Sequence, residues 1–350
     1  MNNTPPIQIF DSTLRDGSHA IRHQIKKEWI AAYCKQADDA CLDVIFVGHG
    51  NGLGASSLQV GLALLDDAEM LSTARENLSK TPLGVFMIPG FGTIQDNLIP
   101  ALECGAEVFN IASHCTEANI TRQHIEFCKN QGKKTYGVLM SYHMAETSVL
   151  VEQAKLMESY GADGLIIMDS AGASTPDMVQ NTITQLVDNL SIDVGFHGHN
   201  NMDMAVSNSL TAIRAGAKII DGTLKGFGAG AGNCPLEVLA ALLQKLNIPT
   251  RMNLYKLLDL GNSIVNEMAG KNIGIDPVCI VSGMSGVFSA FASHVKKAAV
   301  RFNVDPRDIF VELGKRKVVG GQEDVVVDVA MNLAQRQKED NTSYMLESLL

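Results

Sequence analysis

The sequence predicts an α/β protein, a (β/α)8 TIM barrel followed by a helical C-terminal domain. Eight short apolar segments alternate with longer segments of helical periodicity, which is typical of βα units around a parallel sheet. Several of the predicted helices end in a small loop that contains glycine, such as Tyr160-Gly161-Ala162, as helix C-caps do. The chain of 350 residues is about a hundred residues longer than a typical single barrel, so it has room for an appended domain.

The order of the elements follows from this alternation. The predicted strands are Ile7–Ser12, Asp43–Val47, Leu83–Ile88, Val108–Ala112, Thr135–Met140, Gly164–Met168, Asp193–His197 and Ile219–Thr223. The predicted helices between and after them are Trp29–Cys41, Ala68–Leu78, Ile94–Cys104, Glu117–Asn130, Val149–Tyr160, Pro176–Leu190, Met204–Ala215 and Leu236–Leu246. Beyond Leu246 only helical periodicity remains. We therefore expect a catalytic barrel over residues 1–250 and a helical domain over residues 251–350 that packs on it.

Composition excludes several classes of function. The formal net charge is −10 and basic residues are not clustered, whereas nucleic-acid binding needs a concentrated positive surface. No apolar run approaches the roughly 18 residues of a membrane span, and residues 1–6 lack the pattern of a secretory signal. The seven cysteines show no pairing pattern and are interpreted as reduced core residues. We expect a cytoplasmic protein with neither nucleic-acid nor membrane partners.

The polar residues that follow the predicted strands are the candidates for chemistry, because a barrel carries its active site at the C-terminal ends of its strands. Strand one is followed by a Thr-Leu-Arg-Asp-Gly-Ser-His segment, and strand seven by His-Gly-His-Asn-Asn. Histidines also follow strands two and four, and Asp169-Ser170 follows strand six.

A metal site is predicted from two of these segments. His197 and His199 are separated by one residue, so on a strand both imidazoles point to the same face. Asp16, at the end of strand one, supplies a carboxylate that completes a three-ligand set with open positions. Such a set suits manganese or magnesium, with zinc left open. As a competing interpretation, the His-x-His pair is a hydrogen-bonded loop without a metal.

Two residues beside Asp16 are candidates for catalysis. Arg15 places a fixed positive charge near the metal, where it can bind the carboxylate and keto oxygen of a 2-oxo acid. His19 lies three residues after Asp16, and its ordinary pKa suits proton transfer near neutral pH, so it is the predicted general base. His23 is expected to face away from the site as a structural residue.

Two further sequence features bear on other kinds of site. The glycine-rich segment from Gly226 to Asn233 fits neither a dinucleotide-binding nor a P-loop pattern and is interpreted as the loop after strand eight, with Asn233 as an additional polar contact. A Schiff-base aldolase would need a desolvated lysine inside the barrel. Lys225 is the candidate for that role, and we interpret it as an ordinary loop lysine.

The combined motifs resemble the metal-dependent lyase superfamily that includes isopropylmalate synthase and hydroxymethylglutaryl-CoA lyase. A narrower resemblance is to the 4-hydroxy-2-oxovalerate aldolase family and covers about Ile7 to Glu339. It rests on four segments, Asp11–Gln24, His114–Ala118, Gly228–Pro235 and Val319–Asp324.

The resemblance implies a class II retro-aldol cleavage of 4-hydroxy-2-oxopentanoate, or a similar 4-hydroxy-2-oxo acid, to pyruvate and acetaldehyde during the breakdown of aromatic compounds. It implies that Asp16, His197 and His199 bind Mn2+, or Mg2+ or another divalent metal, and that Asp16 and His197 also border the substrate. Arg15 would steady the enolate, His19 would act as base, and Ser170 would contact substrate. An acylating acetaldehyde dehydrogenase is the implied partner of the C-terminal domain.

The chain departs from the pattern of that family at a substrate contact. Where the family carries Gly-Val-Tyr-Ser-Ser-Phe, this chain has Gly-Val-Phe-Ser-Ala-Phe, so the substrate-contacting tyrosine is replaced by Phe288. The missing hydroxyl bears on the aldehyde half of the substrate and its stereochemistry. A related metal-dependent Claisen-type lyase or synthase acting on an acyl-CoA and a non-enzymatic scaffold remain as alternatives.

Overall fold

A computed structural model describes residues 5–270 and 274–347 and shows a closed barrel of eight parallel strands in sequential order. The strands are β1 Gln8–Leu14, β2 Val44–Val47, β3 Leu83–Met87, β4 Val108–His114, β5 Lys134–Met140, β6 Gly164–Asp169, β7 Asp193–Gly198 and β8 Ile219–Gly222. All eight predicted strands are confirmed, with ends that differ by at most two residues. The parts of the predicted domains and of the N-terminal segment that fall on residues 1–4, 271–273 and 348–350 lie outside the described residues.

Helices cover the outside of the barrel and continue after it. They are α1 Lys27–Ala37, α2 Asp67–Asn77, α3 Ile99–Glu103, α4 Arg122–Asn130, α5 Thr147–Ser159, α6 Pro176–Asn189, α7 Ala205–Arg214, α8 Leu236–Lys245, α9 Leu254–Leu260, α10 Asn266–Ala269, α11 Pro277–Met284, α12 Ala292–Phe302, α13 Pro306–Lys315 and α14 Val325–Glu347. Residues at the N-termini of the helices stabilise the first turns. In α6, for example, Pro176 begins the helix and the Thr175 hydroxyl accepts a hydrogen bond from the backbone N–H of Met178.

Alternate residues of each strand face two separate apolar layers. Side chains such as Phe10, Phe46 and Ile166 fill the inside of the barrel, whereas their neighbours along the strands pack against the surrounding helices. Both layers are built from fully buried aliphatic and aromatic residues, so the strands are hydrophobic on both faces, as buried parallel strands are. The polar residues at the strand ends are the exception.

The cysteines only partly follow the prediction. All seven are free, and five of them are buried. The expectation of core residues is wrong for Cys41, which is exposed, and for Cys104, which is half-buried. Cys41 follows α1 with a φ of +58°, so it occupies the turn after the helix rather than its apolar face.

The helices after the barrel form two groups. Leu257 and Leu260 of α9 join the apolar layer that covers the barrel. Helices α11 to α14 bury a separate cluster that includes Phe291, Phe310 and Val329. Hydrogen bonds also connect this second group to the barrel, for example from the Gln59 side chain to the carbonyl oxygen of Gly321 at 3.2 Å. Within the described residues, none of the helices has the combination of length and apolarity that crossing a membrane requires.

Candidate metal centre and active site

Asp16, His197 and His199 meet at the C-terminal end of the barrel, and their candidate ligand atoms all lie within 4.8 Å of one another. His197 points inward from β7, and His199 is the first residue after that strand. Asp16 begins a 3-10 turn directly after β1. All three residues are buried. The structure therefore brings together the one carboxylate and two imidazoles that the sequence predicted as a metal-ligand set.

The His199 ring indicates that a cation fits here. Both ring nitrogens are buried and have no hydrogen-bond partner among the described residues, although buried polar atoms are nearly always paired. His199 Nε2 lies 3.9 Å from Asp16 Oδ2, too far for a hydrogen bond and compatible with a shared ion. Burial lowers the pKa of His199 to about 4 against the opposing charge of Asp16, so the imidazole is neutral and available as a ligand at neutral pH.

Two polar residues surround the His197 ring. The Asp221 carboxylate lies 3.2 Å from His197 Nδ1, and these residues are register neighbours on β8 and β7. On the other ring nitrogen, Nε2, the Asn233 side-chain amide lies at 3.0 Å. Asn233, named from the sequence as an additional contact, thus lies beside a predicted ligand. Asp221 is not among the residues predicted from the sequence, although its position directly after the apolar pair Ile219-Ile220 is a signal for it.

The Asp16 carboxylate is held ionised by its neighbours. Burial alone would raise its pKa, but the neighbouring Arg15 guanidinium holds that pKa well below its usual range. Oδ2 accepts a hydrogen bond from Arg15 Nη1 at 2.8 Å, and Oδ1 accepts one from the backbone N–H of Ala229 at 3.1 Å. A carboxylate fixed in this way is a suitable ligand for a divalent cation.

The loop after β8 approaches this centre closely because of its glycines. A Cβ atom added to Gly228 would lie 2.1 Å from Asn233 Oδ1 and 2.9 Å from Asp16 Oδ1. Any side chain there would displace Asn233 and Asp16, which is itself one of the candidate metal ligands.

Arg15 is buried, and several neighbouring groups hold its guanidinium in place. Besides Asp16, its guanidinium donates to the carbonyl oxygen of Gly50 at 3.1 Å, and its Cζ lies 4.5 Å above the ring of Phe86. Its Nε has no partner among the described residues. Arg15 thus presents a positive charge at a cavity wall, which suits the binding of an anionic substrate group.

His19 lies at the same cavity, and Gly50 makes space for its ring. A Cβ atom added to Gly50 would lie 2.3 Å from the imidazole of His19. Burial lowers the pKa of His19 to about 4, opposed by the charge of Asp16. The ring is therefore neutral at neutral pH and able to accept a proton.

The expectation that His23 faces away from the site is wrong. Its ring lies 4.9 Å from that of His19 and stacks on His49 with ring centroids 3.6 Å apart. The segment after Asp16 is a 3-10 turn that ends in two left-handed residues, Arg22 and His23, with φ of +54° and +61°. The chain reverses at that point and returns His23 behind His19.

A cavity of about 850 Å3 borders Asp16, one residue of the metal-ligand set. Arg15, Asp16, His19, Ser170 and Phe288 line it, whereas His197, which the family resemblance also implies at the substrate, is not among its lining residues. The Ser170 hydroxyl accepts a hydrogen bond from the backbone N–H of Ser141 at 3.0 Å. The Phe288 ring comes from the helical C-terminal region, so both parts of the chain contribute to the cavity.

Lys225 does not line this cavity. It lies on the loop after β8 with a φ of +56°, and its backbone N–H donates to the Glu237 carboxylate at 2.9 Å. This position gives no support to a Schiff-base mechanism.

Known proteins that resemble this chain in sequence are aldolases. Residues 6–264 match the HMGL-like family, and residues 273–335 match the DmpG-like communication domain. A 4-hydroxy-2-oxovalerate aldolase of Pectobacterium atrosepticum is 52% identical over 95% of this chain and 97% of its own length. The enzyme of the same name from Spirochaeta aurantia is 50% identical over 96% of this chain and 98% of its own length.

Solved structures show the same fold at lower sequence identity. The carboxyl transferase domain of Rhizobium etli pyruvate carboxylase superposes with a TM-score of 0.81 at 15% identity, covering 95% of this chain and 61% of that one. The N-terminal domain of a putative aldolase from Bacteroides vulgatus superposes with a TM-score of 0.71 at 21% identity, covering 85% of this chain and 98% of that one. The barrel fold is therefore shared with proteins that are named for different activities.

Proposed function

Because the chain belongs to the 4-hydroxy-2-oxovalerate aldolase family, carbon–carbon lyases within the HMGL-like family, we propose that its buried Asp16, His197 and His199 hold the divalent cation of a class II aldolase. The supporting observation is the convergence of one carboxylate and two imidazoles within 4.8 Å at the catalytic end of the barrel. We propose Mn2+ as the physiological ion, with Mg2+ as the alternative. When bound, the cation supplies Lewis-acid stabilisation of the negative charge that develops on the substrate.

The proposed reaction is cleavage of 4-hydroxy-2-oxopentanoate, or a similar 4-hydroxy-2-oxo acid, between C3 and C4. Removal of the C4 hydroxyl proton lets its oxygen form the carbonyl of the departing aldehyde. The electron pair of the broken C3–C4 bond passes to the pyruvate enolate, which takes up a proton at C3 to give pyruvate. Atoms and charge balance without an added oxidant or reductant.

His19 accepts the hydroxyl proton in this proposal. Its ring lines the substrate cavity and is neutral at neutral pH because burial lowers its pKa to about 4. A positioned general base is typically worth about 10²–10⁴-fold in rate.

Arg15 binds the substrate carboxylate and faces the developing enolate charge. Its position is fixed by Asp16 and Phe86, so no reorganisation is needed when the charge appears. One such fixed donor typically contributes about 3 to 4 kcal/mol to transition-state stabilisation.

Ser170 and Phe288 are the remaining proposed substrate contacts. Ser170 provides a small polar wall close to the pyruvate half, and Phe288 provides an apolar wall for the aldehyde half. Because Phe288 carries no hydroxyl, we propose that the aldehyde half is selected by shape and apolar contact rather than by a hydrogen bond.

We propose that residues 1–250 form the catalytic unit and that residues 251–350 form a unit that contacts an acylating acetaldehyde dehydrogenase. The match of residues 273–335 to the DmpG-like communication domain supports this partner. Transfer of a reactive aldehyde between two enzymes fits a role in the breakdown of aromatic compounds. The seven free cysteines support a reducing compartment, the cytoplasm.

The experiment that tests the proposed function is incubation of the purified protein and Mn2+ with racemic 4-hydroxy-2-oxo acids of increasing chain length. Pyruvate release is followed with lactate dehydrogenase and NADH, and the aldehyde is identified by mass spectrometry after derivatisation. We expect pyruvate and an aldehyde in equal amounts. Absence of pyruvate from every substrate would refute the proposal, whereas cleavage of an acyl-CoA under the same conditions would support the Claisen-type alternative.

A further inference from the structure

Asn201 joins the segment after β7 to the C-terminal helices. It lies two residues after His199 and is completely buried. Its Nδ2 donates to the carbonyl oxygen of Cys279 in α11 at 3.1 Å, and its Oδ1 accepts from the Ser289 hydroxyl at 2.9 Å. One orientation of the amide satisfies both bonds, because the nitrogen donates and the oxygen accepts.

The surroundings of Asn201 leave it little freedom. A Cβ atom added to Gly172 or to Gly283 would lie 2.7 Å from atoms of Asn201. Gly172 belongs to the segment after β6 and Gly283 to α11, so the side chain is enclosed by backbone from two directions. A close-packed polar side chain with both ends bonded transmits a displacement of one segment to the others.

Ser289 connects this contact to the substrate cavity. Its backbone N–H donates to the carbonyl oxygen of Ser170 at 3.3 Å. The preceding residue, Phe288, and Ser289 itself both line the cavity. Side-chain and backbone bonds of one residue therefore fix the position from which the Phe288 ring extends.

We propose that Asn201 and Ser289 are positioning residues, which hold the Phe288 wall of the substrate cavity at a fixed distance from the segment that carries His199. Neither residue needs to touch the reacting atoms. The inference rests on the proposed function, because Phe288 is assigned there to the aldehyde half of the substrate. It adds a specific connection between the C-terminal helices and the metal-ligand segment, made by two side chains that are 88 positions apart.

Variants of Asn201 and Ser289 should therefore affect binding of the two halves of the substrate differently. Displacement of Phe288 affects the aldehyde half, whereas the residues assigned to pyruvate and the metal remain in place. A general loss of stability would instead impair both halves together.

The test uses Ser289→Ala in the full-length, Mn2+-loaded enzyme. We expect KM for 4-hydroxy-2-oxopentanoate to rise about tenfold, less than the roughly 10²-fold loss that a misplacement of about 1 Å can cause. Exchange of the pyruvate methyl protons with deuterium oxide, followed by proton NMR, should stay within about twofold of wild type because it needs no aldehyde half. Asn201→Ala should shift KM in the same direction.

Thr73→Val is the matched control. It removes a buried hydroxyl that donates to the carbonyl oxygen of Glu69 at 2.7 Å in α2, far from the cavity lining. We expect this variant to keep the wild-type KM even if its melting temperature falls as much as that of Ser289→Ala. An equal rise of KM in the control would overturn the proposal.

A double-mutant cycle provides the decisive comparison. If Ser289 acts through Phe288, then Ser289→Ala should have no further effect on KM in a Phe288→Ala background. Additive effects of the two substitutions would overturn the proposal, as would an unchanged KM in Ser289→Ala.

Failure of the proposed function and failure of the positioning role give different experimental results. If wild-type protein releases no pyruvate from any 4-hydroxy-2-oxo acid, hydrogen–deuterium exchange of residues 286–291 still tests the positioning role. Faster exchange of that segment in Ser289→Ala and Asn201→Ala, but not in Thr73→Val, would support the role, and unchanged exchange would overturn it.

Discussion

The carboxylate of Asp221 lies 3.2 Å from Nδ1 of His197, its register neighbour on the adjacent strand. A carboxylate behind a ligating imidazole orients the ring, fixes its tautomer and raises its basicity. The side chain of Asp221 is itself buried, so this charge acts at short range with little screening by solvent.

Replacement of Asp221 should therefore weaken metal binding. We expect Asp221→Asn to lower Mn2+ affinity by about ten- to hundredfold, as is typical for the loss of such a supporting residue. Isothermal titration calorimetry on metal-free protein measures the change. Asp193→Asn, at the exposed beginning of β7, is the matched control and should bind Mn2+ as wild type does. Equal affinities in all three proteins would contradict the role of Asp221.

Replacement of His19 should separate catalysis from metal binding. We expect His19→Ala to lower kcat by about 10²–10⁴-fold, the usual contribution of a general base, with unchanged Mn2+ affinity. Because burial lowers the pKa of His19 to about 4, kcat/KM of wild type should fall as the pH drops through about 4 and not through 6.5. His124→Ala, on the outer helix α4, is the control. Wild-type turnover in His19→Ala would refute its assignment as base.

The stacked pair of His23 and His49 should make stability depend on pH. Burial holds the pKa of His49 at about 4 and that of His23 lower still, against 6.5 for the unfolded chain. Between about pH 4 and 6.5 the unfolded state binds more protons, so the free energy of unfolding decreases as the pH falls through this range. Each histidine contributes about 1.4 kcal/mol per pH unit at most.

Urea unfolding at several pH values between 7 and 5 measures this dependence. We expect His49→Gln to show a slope smaller than that of wild type by about one proton. A glutamine retains an amide donor for the carbonyl oxygen of Gly61, which His49 Nε2 approaches at 3.0 Å. Identical slopes in the two proteins would show that His49 does not titrate as its burial requires.

Phe288→Tyr introduces the hydroxyl that the family resemblance implies at this position. The new group can hydrogen-bond within the cavity, so we expect a changed preference among aldehyde acceptors in the aldol-forming direction. The ratio of kcat/KM values for propanal and acetaldehyde, measured with pyruvate, reports the change. An identical acceptor profile would mean that the departure from the family pattern has no effect on selectivity.

The barrel and the metal-ligand set could be predicted because they depend on short-range spacing. His197 and His199 share a face through the two-residue period of a strand, and Asp16 follows the first strand directly. The closure of eight parallel strands then brings both segments to the same end.

The contacts that were missed depend on register and on distant packing. Asp221 reaches His197 only because β7 and β8 pair in one particular register. Asn201 and Ser289 are 88 positions apart, and nothing in either segment indicates the other. The prediction for His23 is wrong because two consecutive left-handed residues, Arg22 and His23, reverse the chain there, and the sequence does not indicate this reversal.

We propose that Asp16, His197 and His199 together hold one divalent cation that aldol cleavage requires. This is tested by a titration of chelator-treated protein with Mn2+ in which bound metal, by electron paramagnetic resonance, and pyruvate release are measured in the same samples. We expect activity to return in proportion to binding, with one ion per chain in wild type and strongly reduced occupancy in Asp16→Asn. Full activity before metal is added, or unchanged binding in Asp16→Asn, would contradict the claim.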